Sequence, residues 1–139
     1  MDLTSLLSPL FSKKTMSPSY PERPLVNDSL ESNIPGLYVA GDLSGTPLVK
    51  LTLNQGFDLA NHLADRLKSE TSGTPDVLDV VVVGAGCAGL GTIRQLKKRG
   101  MKVLGLESGR SLMTLRNFTK GKPIFLEPEE LEFKDDWGL

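Results

Sequence analysis

Apolar and polar positions change rhythm twice along this chain. Over residues 1–33 no period holds: Met1–Phe11 is apolar in patches, and Ser12–Pro24 is rich in serine, proline and lysine. Pro18, Pro21 and Pro24 fall too close together for a helix, so the stretch reads as an irregular arm that docks on other structure or stays unfolded. A pattern sets in at Ile34. Pro35-Gly36 punctuates a turn, and Leu37–Ala40 is a short apolar run of strand composition, ended by Gly41-Asp42. Thr46-Pro47 then makes a helix start, with threonine as cap and proline at the first helical position. Leu48, Leu51, Leu59, Leu63 and Leu67 recur at largely helical spacing and predict a helix from Pro47 to about Lys68. The composition of Ser69–Pro75 is that of a linker.

The second organised block is denser. Leu78–Val83 holds four consecutive valines, the composition of a strand buried on both faces. Gly84-Ala85-Gly86-Cys87-Ala88-Gly89 follows, and Cys87–Arg99 reads as a helix that turns Leu90, Ile93 and Leu96 to the sheet. Lys97, Lys98 and Arg99 suit the negative end of its dipole, and Gly100 ends it. Lys102–Glu107 is a further strand. Ser108–Leu139 has weak periodicity and reads as an irregular tail, acidic from Glu127, in which Trp137 has no evident chemical partner. Four segments result: an arm (1–33), a strand and helix (34–68), a linker (69–77) and a strand–helix–strand unit with its tail (78–139).

Composition narrows the function classes. At 139 residues and 15.1 kDa the chain is long enough for one modest domain, and its 14 glycines and 9 prolines point to many turns. A net charge of −1 offers no polyanion-binding surface at whole-chain level, so nucleic acid is not an expected partner. One cysteine excludes an internal disulfide, and one histidine excludes a multi-histidine metal site; no metal is expected. No apolar run approaches the roughly 20 residues that span a bilayer. Asp2 and Ser8-Pro9 argue against a signal peptide, so the expectation is a cytoplasmic protein without a membrane partner.

The glycine-rich segment carries the chemistry. Here G-x-G-x-x-G follows a strand and opens a helix, and the next strand ends in Glu107, 23 residues after Gly84. Gly84 permits the tight turn, Gly86 lets backbone approach a pyrophosphate, and Gly89 lets helix and strand pack closely. The helix N-terminus presents N–H groups and a positive dipole end to phosphate. Glu107 is placed to accept ribose hydroxyls and to repel a 2′-phosphate, which favours FAD or NAD over NADP. Cys87, at a helix N-terminus, is expected to have a lowered pKa, yet serves better as a small turn residue than as a redox thiol. His62 suits a surface or core role, and Arg116, Lys120 and Lys122 a solvated loop.

Ile34-Pro-Gly-Leu-Tyr-Val-Ala-Gly-Asp42, followed by a long helix, resembles the C-terminal flavin motif of the thioredoxin-reductase-like FAD/NAD(P)-dependent oxidoreductases. Asp79–Arg110 resembles the N-terminal FAD fingerprint of the same family, and the two matches cover about half the chain. The resemblance implies an α/β fold with a small three-stranded parallel Rossmann-like sheet made from 37–40, 78–83 and 102–107. It implies that Asp42 bonds the ribityl or pyrophosphate side of FAD, and that the helix starting at Pro47 faces the flavin pyrimidine. The cofactor-binding residues expected are Gly84, Ala85, Gly86, Cys87, Ala88, Gly89, Glu107 and Ser108, together with Gly41, Asp42 and Pro47. The cofactor expected is FAD, with NAD less favoured at the same site.

The motif order is reversed relative to the family, because the Gly-Asp motif precedes the fingerprint. Two arrangements follow: part of a longer flavoprotein spanning two modules, or a small permuted domain. There is no Cys-x-x-Cys and no second fingerprint, and no residue qualifies as a general acid or base. The function implied is FAD binding within an oxidoreductase that is incomplete in this chain. The alternatives are a non-catalytic nucleotide-binding module and an inactive truncated product. Right-handed crossovers put both helices on one face of the sheet. The other face then has only the arm and the tail to cover it, so the isolated chain is expected to self-associate or to need further domains of a parent protein.

Overall fold

Each regular element buries the face that its sequence period supplies. A computed structural model describes residues 23–68, 76–122 and 129–137. Helix α1 (Val49–Leu67) turns Leu53, Leu59, Ala60, Leu63 and Ala64 to one side. Strand β1 (Val80–Val83) leads through the glycine-rich loop into helix α2 (Cys87–Lys98), which returns the chain to strand β2 (Val103–Leu106). The two strands pair in parallel, Val80 opposite Val103 and Val83 opposite Leu106. A single helical turn, α3 (Met113–Arg116), follows. The core sits between the helices and the inner face of the sheet: Leu59, Ala60, Leu63, Ala64 and Leu96, with Val80, Val82 and Val103 packed on them.

Glycine sets how closely the helices meet. A Cβ at Gly56 would stand 2.3 Å from the Ala88 carbonyl oxygen, and one at Gly91 would stand 2.8 Å from that of Leu53. Backbone therefore meets backbone where α1 and α2 cross. The Thr92 hydroxyl reaches the Gly56 carbonyl oxygen across the contact at 3.2 Å.

The start of α1 departs from the expected cap. Leu48, in extended conformation, precedes the first helical residue and makes no side-chain cap bond. The Thr46 hydroxyl instead accepts a hydrogen bond from Gln55 Nε2 at 3.0 Å. A side chain nearly two turns into the helix takes the place of the local cap.

The chain is α/β, but among the described residues the parallel sheet has two strands, not three. Leu37–Ala40 is extended and pairs elsewhere: the Ser32 N–H donates to the Leu37 carbonyl at 2.8 Å, and the Val39 N–H to the Leu30 carbonyl at 2.9 Å. This small antiparallel hairpin takes in residues of the expected irregular arm, with Val26 bridging Ser32. Arg66 near the end of α1 holds it, bonding both Glu31 (3.0 Å) and the Tyr38 hydroxyl. Tyr38 thus meets α1 and bridges Glu31, and does not pair with β1. A groove of about 430 Å³, lined by Leu37, Tyr38, Ala40 and Val80–Val83, lies between the hairpin and β1.

The valine run is half-buried on one face and exposed on the other. Val80 and Val82 point to the helices, whereas Val81 is 51% and Val83 83% exposed, and Leu104 and Leu106 beside them are also exposed. Trp137 does have a partner, the guanidinium of Arg94, 4.9 Å from its ring. His62 is exposed, edge-on to Tyr38. Arm residues 1–22, linker residues 69–75 and tail residues 123–128 and 138–139 lie outside the described residues. Among the described residues no helix is long and apolar enough to cross a membrane.

The outer valine–leucine face predicts concentration-dependent association of the isolated chain and binding of a hydrophobic dye. Val81→Lys with Leu104→Glu should suppress both, as read by sedimentation and dye fluorescence. A compact wild-type monomer that binds no dye would contradict the prediction.

Candidate functional site

Two helix N-termini open on one cleft. After β1, Gly84 takes a φ of 95°, a left-handed conformation that a side chain disfavours, and so turns the chain sharply into α2. Gly41, with a φ of 83°, makes the corresponding turn after the hairpin. The Cβ that Gly41 lacks would lie 3.3 Å from the Ala88 side chain, so this turn sits directly against the first turn of α2. Between the two turns lies a cleft of about 290 Å³. The first N–H groups of any helix lack partners within it and point out of its N-terminus. Those of α1 and α2 thus face the same space, with the positive ends of both dipoles.

Of the eleven expected residues, Gly41, Asp42, Pro47, Gly84, Gly86, Cys87, Ala88 and Gly89 line this cleft. A side chain at Gly84 or Gly86 would meet nothing within 4 Å, so open space stands over the loop. Gly89 is required for a different reason, since a Cβ there would stand 1.9 Å from the Gly84 carbonyl oxygen. The closeness expected of the third glycine is thus between the helix and its own loop.

Ala85, Glu107 and Ser108 stand behind the loop instead. Glu107 Oε2 accepts the Ala85 N–H at 2.7 Å, and its Oε1 accepts the Gly109 N–H at 3.0 Å and the Ser108 hydroxyl at 3.3 Å. The Ala85 carbonyl accepts the Leu112 N–H at 2.9 Å. Both backbone groups of Ala85 are therefore tied to the chain after β2. The Ala85 N–H bond, then that from Gly109, holds the Glu107 carboxyl below the usual range, so it stays ionised at neutral pH.

Cys87 departs from its expected chemistry. Burial, with the nearby Asp42 carboxylate adding to it, pushes the thiol up rather than down. Desolvation and a facing negative charge both disfavour the thiolate, and together they outweigh the helix dipole.

Three contributors escaped sequence reasoning. Gln55 Oε1 accepts the Gly41 N–H at 2.7 Å, and its Nε2 donates to the Ser44 and Thr46 hydroxyls, fixing the Gly-Asp turn from α1. Leu112 and Phe118 close the cleft on its far side, Leu112 with a φ of 55°. Only the helical position of Gln55 on the side of Leu48 and Leu59 hinted at this. Arg116 and Lys122 do not face the cleft: Arg116 Nε donates to the Ser111 carbonyl at 2.9 Å, and Lys122 lies over the Phe118 ring. Among the described residues no cluster of histidine, cysteine and carboxylate side chains is placed to hold a metal ion.

No family model, curated protein or solved structure matches the chain.

The depressed Glu107 pKa has a direct consequence. A carboxyl lowered in the folded state stabilises the fold above its unfolded pKa and loses that contribution as pH falls through the folded value. Glu31, Asp65 and Asp135 are also lowered, so the wild type should lose stability cumulatively below about pH 4.5. Glu107→Gln should melt lower than wild type at pH 7, and the gap should narrow toward pH 3 in scanning calorimetry. A constant gap across that range would show that the charge on Glu107 does not hold the loop.

Proposed function

We propose that the cleft binds an adenine dinucleotide, FAD in preference to NAD, and that the chain is a partial flavin-binding module of an oxidoreductase. The observation that carries this reading is the meeting of two glycine turns and two helix N-termini at one cleft. The pyrophosphate is the group such a place favours: it needs close backbone approach, and it gains from N–H donors and positive dipole ends. The open space over Gly84 and Gly86 fits that requirement. Gly84–Gly89 would hold the pyrophosphate, Asp42 would bond the ribityl or pyrophosphate side, and the first turn of α1 after Pro47 would face the flavin. FAD, when bound, supplies hydride and electron transfer; the chain supplies binding and electrostatics.

Glu107 would act at this site chiefly through the loop it holds. Its charge persists at neutral pH and still disfavours a 2′-phosphate nearby. The groove between the hairpin and β1 supports the partial-module part of the reading, since the described residues leave the third position of a Rossmann-like sheet unpaired. A second reading, a nucleotide-binding module without catalysis, is favoured by the makeup of the cleft: Asp42 and Cys87 are the ionisable side chains among its described lining residues, and the thiol is pushed up.

Equilibrium titration of the purified chain with FAD, NAD and NADPH tests the proposal. FAD is expected to bind most tightly and NADPH least. Gly86→Val should abolish binding, because a side chain would take the space over the loop. Asp42→Ala should weaken FAD by roughly 10- to 100-fold, the loss of one charge-assisted hydrogen bond of about 1.5–3 kcal/mol. A preference for NADPH over both other ligands, or Gly86→Val binding like wild type, would overturn the assignment. Reduction of bound FAD by NADH or NADPH separates the oxidoreductase reading from the binding module.

A further inference from the structure

The described end of the chain lies as an irregular strip across α1 and α2, away from the cleft, and bends at Lys134 and Asp135. Leu131, Phe133, Asp135 and Trp137 are half-buried while Glu132, Lys134 and Asp136 are exposed, the period-two alternation of a strand laid on a surface. What receives it is mainly polar. Asn54, only 4% exposed, donates from Nδ2 to the Glu132 carbonyl at 2.7 Å and accepts the Lys134 N–H at Oδ1 at 3.0 Å. One side chain thus reads the backbone on both sides of Phe133, as a neighbouring strand would. Lys50 and Asp58 stand one turn either side of Asn54 on α1; Lys50 lies 5.6 Å from the Phe133 ring, and Asp58 pairs with Lys134 at 2.5 Å. From α2, Arg94 and Lys98 pair with Asp135 at 2.8 and 2.5 Å. Arg94 also donates to the Asp136 carbonyl at 2.7 Å and stacks under Trp137.

We propose that this α1–α2 face is a docking surface for an acidic–aromatic segment, and that residues 131–137 are its resident occupant, a peptide held in cis that a segment of the same pattern can replace. The inward side chains define the pattern: an aromatic, an acid two residues on, and an indole two further. From two stripes at helical four-residue spacing, Lys50 meets the aromatic, Asn54 the backbone beside it, Arg94 and Lys98 the acid, and Arg94 the indole. None of the strip residues belongs to the core cluster, so the strip can leave without opening the core. Tethering gives the cis segment an effective concentration in the millimolar range, so a segment in trans competes only where the cis contact is weakened.

The test uses the full chain. A fluorescein-labelled peptide with the sequence of residues 129–137 is titrated by anisotropy against wild type and against Asp135→Lys/Trp137→Ala, which weakens the resident strip and leaves the receiving side chains intact. The double variant is expected to bind the peptide at least about tenfold more tightly than wild type. Adding Asn54→Leu should remove that gain, with helix content checked by circular dichroism. Lys98→Glu, on an exposed part of α2, should weaken the peptide in the same direction without disturbing a buried position. Trp137, the only tryptophan, reports the cis contact directly: Asn54→Leu in the otherwise wild-type chain should shift its emission to the red. Equal peptide binding by wild type and the double variant, or an emission unchanged by Asn54→Leu, would overturn the proposal.

Discussion

The backbone contact at Gly56 and Gly91 governs the rest of this structure. Helices with ordinary side chains at their crossing lie 8–10 Å apart, and their N-termini are free to diverge. Here a missing Cβ on each helix lets carbonyl oxygens of one meet the backbone of the other. Their starts are thereby brought to one cleft, and the turn at Gly41 comes to rest on Ala88. Glycine costs about 1 kcal/mol in a helix interior relative to alanine. Close packing of backbone at the crossing offsets that cost, and the long apolar face of α1, from Leu53 to Ala64, holds the pair in register.

Order in the cleft then depends on supports outside it. Gln55 holds the Gly-Asp turn from α1, and Glu107 holds the glycine-rich loop from the end of β2. Each satisfies a backbone N–H that the tight turns leave without a partner in regular structure. A loop tied at both the N–H and the carbonyl of Ala85 is set before any ligand arrives, which lowers the ordering cost of binding. The positive dipole ends of two helices face the same space, while Asp42 adds a negative group that, second to burial, pushes the Cys87 thiol up. A pyrophosphate bound there, as proposed, would meet two positive dipole ends and one acceptor.

What could be read from the sequence follows from which contacts are local. The strand–loop–helix at Val80–Lys98 was legible because glycine spacing and the valine run dictate it within twenty residues. The helix after Pro47 was legible from its leucines, to within two residues at its start. Strand number was not, because Leu37–Ala40 has strand composition whichever partner it takes, and the partner it has, residues 30–32, is set by contacts that include Arg66, 28 residues from Tyr38. Nothing local marks Gly56 and Gly91, and only the crossing shows their use. Glu107 was legible from its distance from Gly84, but its bonds to the Ala85 and Gly109 N–H groups, which support the loop, were not. The alternation in Leu131–Trp137 was present in the letters; the run of acids obscured it, since charged residues ordinarily mark solvated chain.

The central claim is that the two turns serve one ligand. Backbone amide chemical-shift mapping of the isotope-labelled chain during addition of FAD tests it most directly. The account predicts that amides of Gly84–Gly89 and of Gly41–Asp42 shift together, with one shared dissociation constant, while those of the strip at 131–137 stay fixed. Shifts confined to one of the two turns, or two turns titrating with different constants, would contradict it.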